Sequence, residues 1–205
     1  MPSSARRCSK RLRAEQRVFV LIGPGGAGKG TLAAELVARD PSLWLSRSWT
    51  TRAARPGERE RGAYVFVDRA TFEEAIAQGG FFEWAEFLDY LMGTPIPEPP
   101  PGADVLLEID VQGAEQVLAQ RPDATVIMVL PPSTEVQAAR LAARGDDDEH
   151  IRARVDLGRS EVVRGGKIAA HTVVNDDLQR ALGELAAIVD RTRSAAPCAA
   201  NPEES

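Results

Sequence analysis

The stretch Val18-Phe19-Val20-Leu21-Ile22-Gly23-Pro24-Gly25-Gly26-Ala27-Gly28-Lys29-Gly30-Thr31 decides the fold class. Its first five residues are apolar without a break and rich in β-branched side chains, the pattern of a strand buried on both faces of a parallel sheet. Glycine and proline end the strand, and Leu32, Glu35, Leu36 and Arg39 then recur at helical spacing until Asp40-Pro41 forces a stop. Between strand and helix, two glycines five apart precede a lysine. Glycines let successive N–H groups curl around phosphate oxygens, the helix N-terminus adds partial positive charge, and Lys29 reaches the outer phosphates. Gly23, Gly25, Gly26, Ala27, Gly28, Lys29, Gly30 and Thr31 are therefore the candidate nucleotide-phosphate ligands.

Position 30 is glycine where a Ser or Thr hydroxyl usually meets Mg²⁺ directly. In this the loop is similar to that of adenylate kinases, so the metal is expected mainly through water and phosphates. Mg²⁺ is still expected, because it neutralises charge on a transferring phosphoryl group.

Working outward, residues 105–109 and 125–130 repeat the buried-strand signature, each followed by a helical pattern, at 111–120 and 134–144. Thr134 and Gln137 have capping-box spacing. The acidic run 146–149 suits the first turn of another helix, residues 172–174 a last short strand, and 176–191 a closing amphipathic helix. Alternating strands and helices predict an α/β fold with a mainly parallel, doubly wound sheet. Residues 47–94 break the alternation, with a strand at 64–67, a helix at 72–78 and an aromatic, acidic stretch at 81–87, and read as an inserted lobe. The proline-rich stretch 95–102 is an extended connector, since proline donates no backbone hydrogen bond. The expected division is a basic tail at 1–16, a core at 17–46 and 103–194, the lobe, a lid at about 140–158, and a second tail at 195–205.

The chain has 205 residues and a formal net charge of −5, which argues against a general nucleic-acid or membrane-surface binder. No apolar run approaches the roughly 20 residues of a membrane span. Cys8 and Cys198 stand near opposite ends without metal or redox spacing, consistent with a reducing, cytoplasmic setting. Only Lys10, Lys29 and Lys167 are lysines among 25 basic residues, so the lysine of the loop is not compositional filler. His150 and His171 carry no catalytic or metal pattern.

The lobe contains Ser48-Trp49-Thr50-Thr51-Arg52-Ala53-Ala54-Arg55-Pro56-Gly57-Glu58 and then Tyr64: two arginines three apart with a phenol nearby, suited to gripping a second phosphate. Together with the loop, with residues 82–87, Gly93-Thr94, 107–113, Pro131-Pro132-Ser133, 140–145 and 174–177, this chain resembles the guanylate kinase family of the nucleoside monophosphate kinase group, over roughly residues 17–190. The resemblance implies a P-loop kinase core with an inserted nucleotide-binding lobe and a short helical lid. It implies transfer of the ATP γ-phosphoryl to GMP or dGMP, with Arg52, Arg55 and Tyr64 on the acceptor phosphate and Ser48, Glu83, Thr94 and Asp110 reading guanine. It also implies that Arg140, Arg144 and Arg154 close over the phosphates beside Lys29, with Asn175 lining the adenine pocket.

The chemistry agrees with the resemblance. A carboxylate at Glu83 accepts from both N1–H and the 2-amino group of guanine, whereas adenine presents a lone pair at N1. Glu108 and Asp110, two apart, are expected to face the same way at the carboxyl end of a strand, with Glu108 organising Mg²⁺-bound water. Two features depart from the family. It usually has a tyrosine touching the acceptor phosphate just before Gly93-Thr94, where this chain has Leu91-Met92, with Tyr90 two residues earlier; and the connector is several residues shorter. The alternatives are a kinase for another or a modified nucleoside monophosphate, and a non-catalytic binding module of the same fold.

Overall fold

The computed structural model describes residues 16–54, 57–59, 62, 64–87 and 89–195. Both cysteines, the expected tail residues before Gln16 and after Ala195, and Arg55 lie outside the described residues. Gln16, assigned to the tail, belongs to the fold: it is buried, and its side chain donates to the Ala103 carbonyl at 3.2 Å.

The elements run β1 (Val18–Ile22), α1 (Lys29–Arg39), β2 (Leu43–Leu45), β3 (Trp49–Thr50), β4 (Val65–Phe66), α2 (Arg69–Ala77), β5 (Phe81–Phe87) and β6 (Tyr90–Pro95). They continue with β7 (Asp104–Glu108), α3 (Val111–Gln120), β8 (Thr125–Leu130), α4 (Thr134–Ala142), α5 (Asp148–Gly165), β9 (His171–Val174) and α6 (Leu178–Ser194). Five strands form an all-parallel sheet in the order β2-β7-β1-β8-β9. Alternation along β1 builds a core on each face: Phe19 and Leu21 pack with Leu32, Leu182 and Leu185 from α1 and α6, while Val20 and Ile22 pack with Val111 and Val117 from α3. At about 25 cal/mol per Å² of apolar surface, two such faces supply most of the drive to fold.

The inserted lobe is a second sheet, β4-β3-β6-β5, antiparallel except for β3 beside β4. Its outer face carries Trp49 and Phe81 against Phe72 of α2, the two Phe rings stacked at 4.3 Å. Its inner face turns toward the core.

Several boundaries differ from the sequence reading. Ser133, not Thr134, caps α4, its hydroxyl accepting from Val136 N–H at 3.3 Å. Gln137 is therefore free of capping and serves elsewhere. The helix ends at Ala142, short of the expected 144, so Arg144 lies beyond it in the following turn. Asp147 caps α5, accepting from two N–H groups, as the acidic run predicted. Asp177 caps α6, which therefore starts at Leu178 rather than at Asp176. Pro95 closes β6, and residues 96–103 form the connector, ending in a turn with Gly102 at φ 81°.

Candidate active site

The glycine-rich loop joins β1 to α1, at the carboxyl edge of the sheet, where open α/β sheets bind ligands. Gly28 holds φ 91° and starts α1 with no side-chain cap, so no side chain competes for the first N–H groups of that helix. The loop's carbonyls are held by named donors. Lys29 Nζ donates to Gly23 O at 2.7 Å, Gln137 Nε2 to Gly25 O at 2.9 Å, and Asn175 Nδ2 to Ala27 O at 2.8 Å. Arg140 adds a bond to the Asn175 carbonyl at 2.9 Å. Asn175 thus lies under the loop as a brace, yet it also borders a cavity of about 520 Å³ lined with Gly28, Thr31, Arg140, Arg144 and Leu178. Gly30 is exposed beside Glu108: a Cβ there would stand 3.3 Å from the Glu108 carboxylate.

Across the cleft, register lines up four polar residues on the inner face of the lobe. Glu83 pairs with Thr94, Ser48 Oγ lies 3.0 Å from Thr94 Oγ1, and Val65 N–H bonds to Ser48 O, which brings Tyr64 alongside Ser48. Glu83 is 3% exposed, and burial, reinforced by the nearby Asp110 charge and partly offset by hydrogen bonds from Thr94, pushes its carboxyl up to about 7. Its carboxylate presses on Gly113, where a Cβ would come within 2.5 Å; only glycine fits. At the other end of the row the Arg52 guanidinium lies 5.2 Å over the Tyr64 ring and forms a two-pronged pair with Glu58, at 2.7 and 2.8 Å. Arg52 therefore reaches the site with part of its fork already engaged.

Glu108 links the two halves. It ends β7, and removal from water raises its pKa against the pull of Lys29 and Arg144. Its charge is also the foremost cause, ahead of burial, of the upward shift at Tyr64. Asp110 is not on the strand, as its spacing suggested; it is the N-cap of α3, accepting from Gly113 N–H at 3.0 Å. It remains near Glu83 because that cap sits against β5. Arg154 reaches the loop from α5, its guanidinium 3.5 Å from where a Gly25 Cβ would be, and pairs with Asp146 at 3.9 Å. Arg144 is exposed at the cavity mouth.

Three residues hold places at the site that the sequence did not assign to them. Gln137 was read only as a capping partner. Glu161, half-buried on α5, is raised by burial, opposed by Lys29, raised further by Asp110 and opposed again by Arg154, which places it among the cleft charges; its position in a polar helix gave no signal. Tyr90 shares the inner face of β6 with Met92 and Thr94. The pairing of Trp49 with Gly93 and Thr50 with Met92, continued by Thr51 N–H to Leu91 O at 2.9 Å, leads to Arg52 opposite Tyr90.

The family model described as Guanylate kinase matches residues 15–192. A guanylate kinase of Chromobacterium violaceum is 44% identical over 190 residues, covering 88% of this chain and 89% of the relative. One of Symbiobacterium thermophilum is 42% identical over 176 residues, covering 84% and 83%. The crystal structure of guanylate kinase from Anaplasma phagocytophilum superposes with a TM-score of 0.72 at 27% identity, over 89% of this chain and 88% of that one.

Proposed function

The chain belongs to the guanylate kinase family and is an enzyme of that family with a nucleoside monophosphate kinase role, and from this premise we propose that it transfers the γ-phosphoryl group of ATP to GMP or dGMP. The observation that carries the guanine assignment is Glu83. A carboxylate 3% exposed, held by Thr94 against Gly113, is stabilised by a base edge offering two N–H donors and penalised by one offering a lone pair. Ser48, Thr94 and Asp110 complete that edge.

Arg52 and Tyr64 hold the acceptor phosphate, with Arg55 assigned by resemblance alone. Met92 carries no hydrogen-bond donor, and Tyr90, opposite Arg52, supplies a phenol to the same phosphate. A phosphate oxygen of GMP attacks the γ-phosphorus, the bond to the β–γ bridging oxygen breaks, and ADP leaves; no covalent enzyme intermediate is needed. The residues of the loop bind the donor phosphates. Lys29, Arg140, Arg144 and Arg154 converge on the transferring group as the lid closes and stabilise its charge.

Mg²⁺ suits the donor set. Glu108 is one hard carboxylate at the strand end, held next to a glycine rather than a hydroxyl, which matches a cation that keeps several waters and shares phosphate oxygens. Glu108 would hold its waters, and the bound ion supplies charge neutralisation. Among the described residues no helix is long and apolar enough to cross a membrane; the reading places the reaction in the cytoplasm.

A coupled ADP assay over a panel of nucleoside monophosphates tests this. GMP and dGMP are expected to give the highest kcat/KM, and absence of turnover with GMP and Mg-ATP by folded protein overturns it. In the same assay Tyr90→Phe is expected to raise KM for GMP and leave that for ATP; an unchanged KM for GMP removes Tyr90 from the phosphate. Met92 favours one second reading, a modified acceptor, which a higher kcat/KM than that of GMP would establish.

A further inference from the structure

The loop carbonyls matter because each peptide unit points its C=O and the next N–H in opposite directions. A carbonyl fixed away from the phosphate site therefore aims the following N–H into it, and a flipped peptide would face an anion with a negative dipole. The Ala27 carbonyl is held by Asn175, itself tied to Arg140. The Gly25 carbonyl is held by Gln137 Nε2 at 2.9 Å.

Gln137 is well built for this. It is 3% exposed, it lies one helical turn before Arg140 on α4, and its backbone and side chain crowd the loop: a Cβ on Gly26 would meet Gln137 O at 3.0 Å and Gln137 Cγ at 3.2 Å. Gly158 of α5 closes the junction from the other side, since a Cβ there would lie 2.9 Å from both Gln137 Nε2 and Pro24 Cβ. Two lid helices thus grip the loop at one buried amide.

We propose that Gln137 is a positioning residue for the donor phosphates: by holding the Gly25 carbonyl outward it keeps the Gly26 N–H aimed at the phosphate site before ATP arrives. The role rests on the kinase reading above. The buried amide at the base of α4 makes the loop's shape depend on the packing of the helices that carry the lid arginines. Preorganisation of this kind strengthens binding by removing the ordering cost from the binding step.

The experiment measures KM for ATP, KM for GMP, kcat and the melting midpoint for wild type and three variants. Gln137→Met and Gln137→Leu remove the donor with two different shapes, so a packing loss in one does not decide the result. Gln137→Glu sets an acceptor against the Gly25 carbonyl. The expected result is a rise in KM for ATP of about three- to tenfold in the apolar variants, the worth of one hydrogen bond, and a larger rise in the Glu variant. KM for GMP stays unchanged. A wild-type KM for ATP in all three variants, or equal rises for ATP and GMP, which a general loosening would produce, overturns the role of Gln137. Wild-type turnover of GMP is read first: its absence overturns the kinase reading and this role with it, whereas turnover with unaffected variants overturns this role alone.

Discussion

Glu83 shows how one buried side chain sets a pH dependence. Its carboxyl ionises at about 7 in the folded chain, above the ordinary value of 4.5, chiefly because burial disfavours the charge. The folded state therefore holds a proton that the unfolded state has released, and Glu83 makes the ligand-free protein lose stability as pH rises from 4.5 to about 7. In the proposed reading guanine reverses the preference, because its two N–H groups require the ionised form. KM for GMP is accordingly expected to fall as pH rises through about 7. Glu83→Gln is expected to remove the part of that dependence centred at about 7, leaving that of the GMP phosphate, and lower kcat/KM for GMP by roughly tenfold to a hundredfold, the worth of a charge-assisted hydrogen bond. A pH profile of the variant parallel to wild type would remove Glu83 from base recognition, since the ionising GMP phosphate is common to both. The residue was legible from its motif; its raised pKa was not, because desolvation and the Asp110 charge arise from packing against α3.

At the scale of elements, the joints between helices and sheets carry information that spacing did not. Gln116 of α3 exchanges hydrogen bonds with the backbone of Trp84 at 3.3 and 2.8 Å, and Gln120 donates to Phe82 O at 2.6 Å. These amides satisfy the outer edge of β5, so one helix carries the Asp110 cap and holds the strand that bears Glu83. Helix α5 meets the loop at Gly158. Gly158→Ala gains about 1 kcal/mol in helix propensity but forces a methyl into two 2.9 Å contacts. Because one contact is the proline of the loop, overpacking of about 1–3 kcal/mol is expected to win, giving a lower melting midpoint and weaker ATP binding; a higher midpoint with unchanged KM for ATP would contradict this. Strands β1 and β8 and helix α3 were read to the residue because uninterrupted apolar runs and stop signals bound them. The segment β2 was not read, being three residues long, and the cap of α4 moved by one residue because Ser133 and Thr134 are both competent caps and the Ser133 hydroxyl is the one that accepts from Val136 N–H.

For the whole molecule, the acidic total hides a gathering of basic side chains at the cleft, interleaved with buried carboxylates. Lys29 starts α1, Arg52 lies in the lobe, Arg140 on α4, Arg144 in the turn after it and Arg154 on α5; Lys29 and Arg144 act on Glu108, and Lys29 and Arg154 on Glu161, while the net charge of the chain is −5. In the proposed cycle the lobe and lid close on both nucleotides and exclude water, which keeps hydrolysis from competing. X-ray scattering is expected to show a smaller radius of gyration with a bisubstrate analogue, and an unchanged radius would argue against closure. The sequence by itself determined the α/β class, the glycine-rich loop between strand and helix, and the family resemblance. Local apolar periodicity, glycine placement and ordered motifs are properties of short stretches. Only the tertiary structure decided that Gln137 and Asn175 brace the loop, that Asp110 caps a helix, that Glu58 already engages Arg52, and that Glu161 enters the cleft. Each of those depends on contacts between residues distant in the chain, whose distances and desolvation exist only once both sheets are packed.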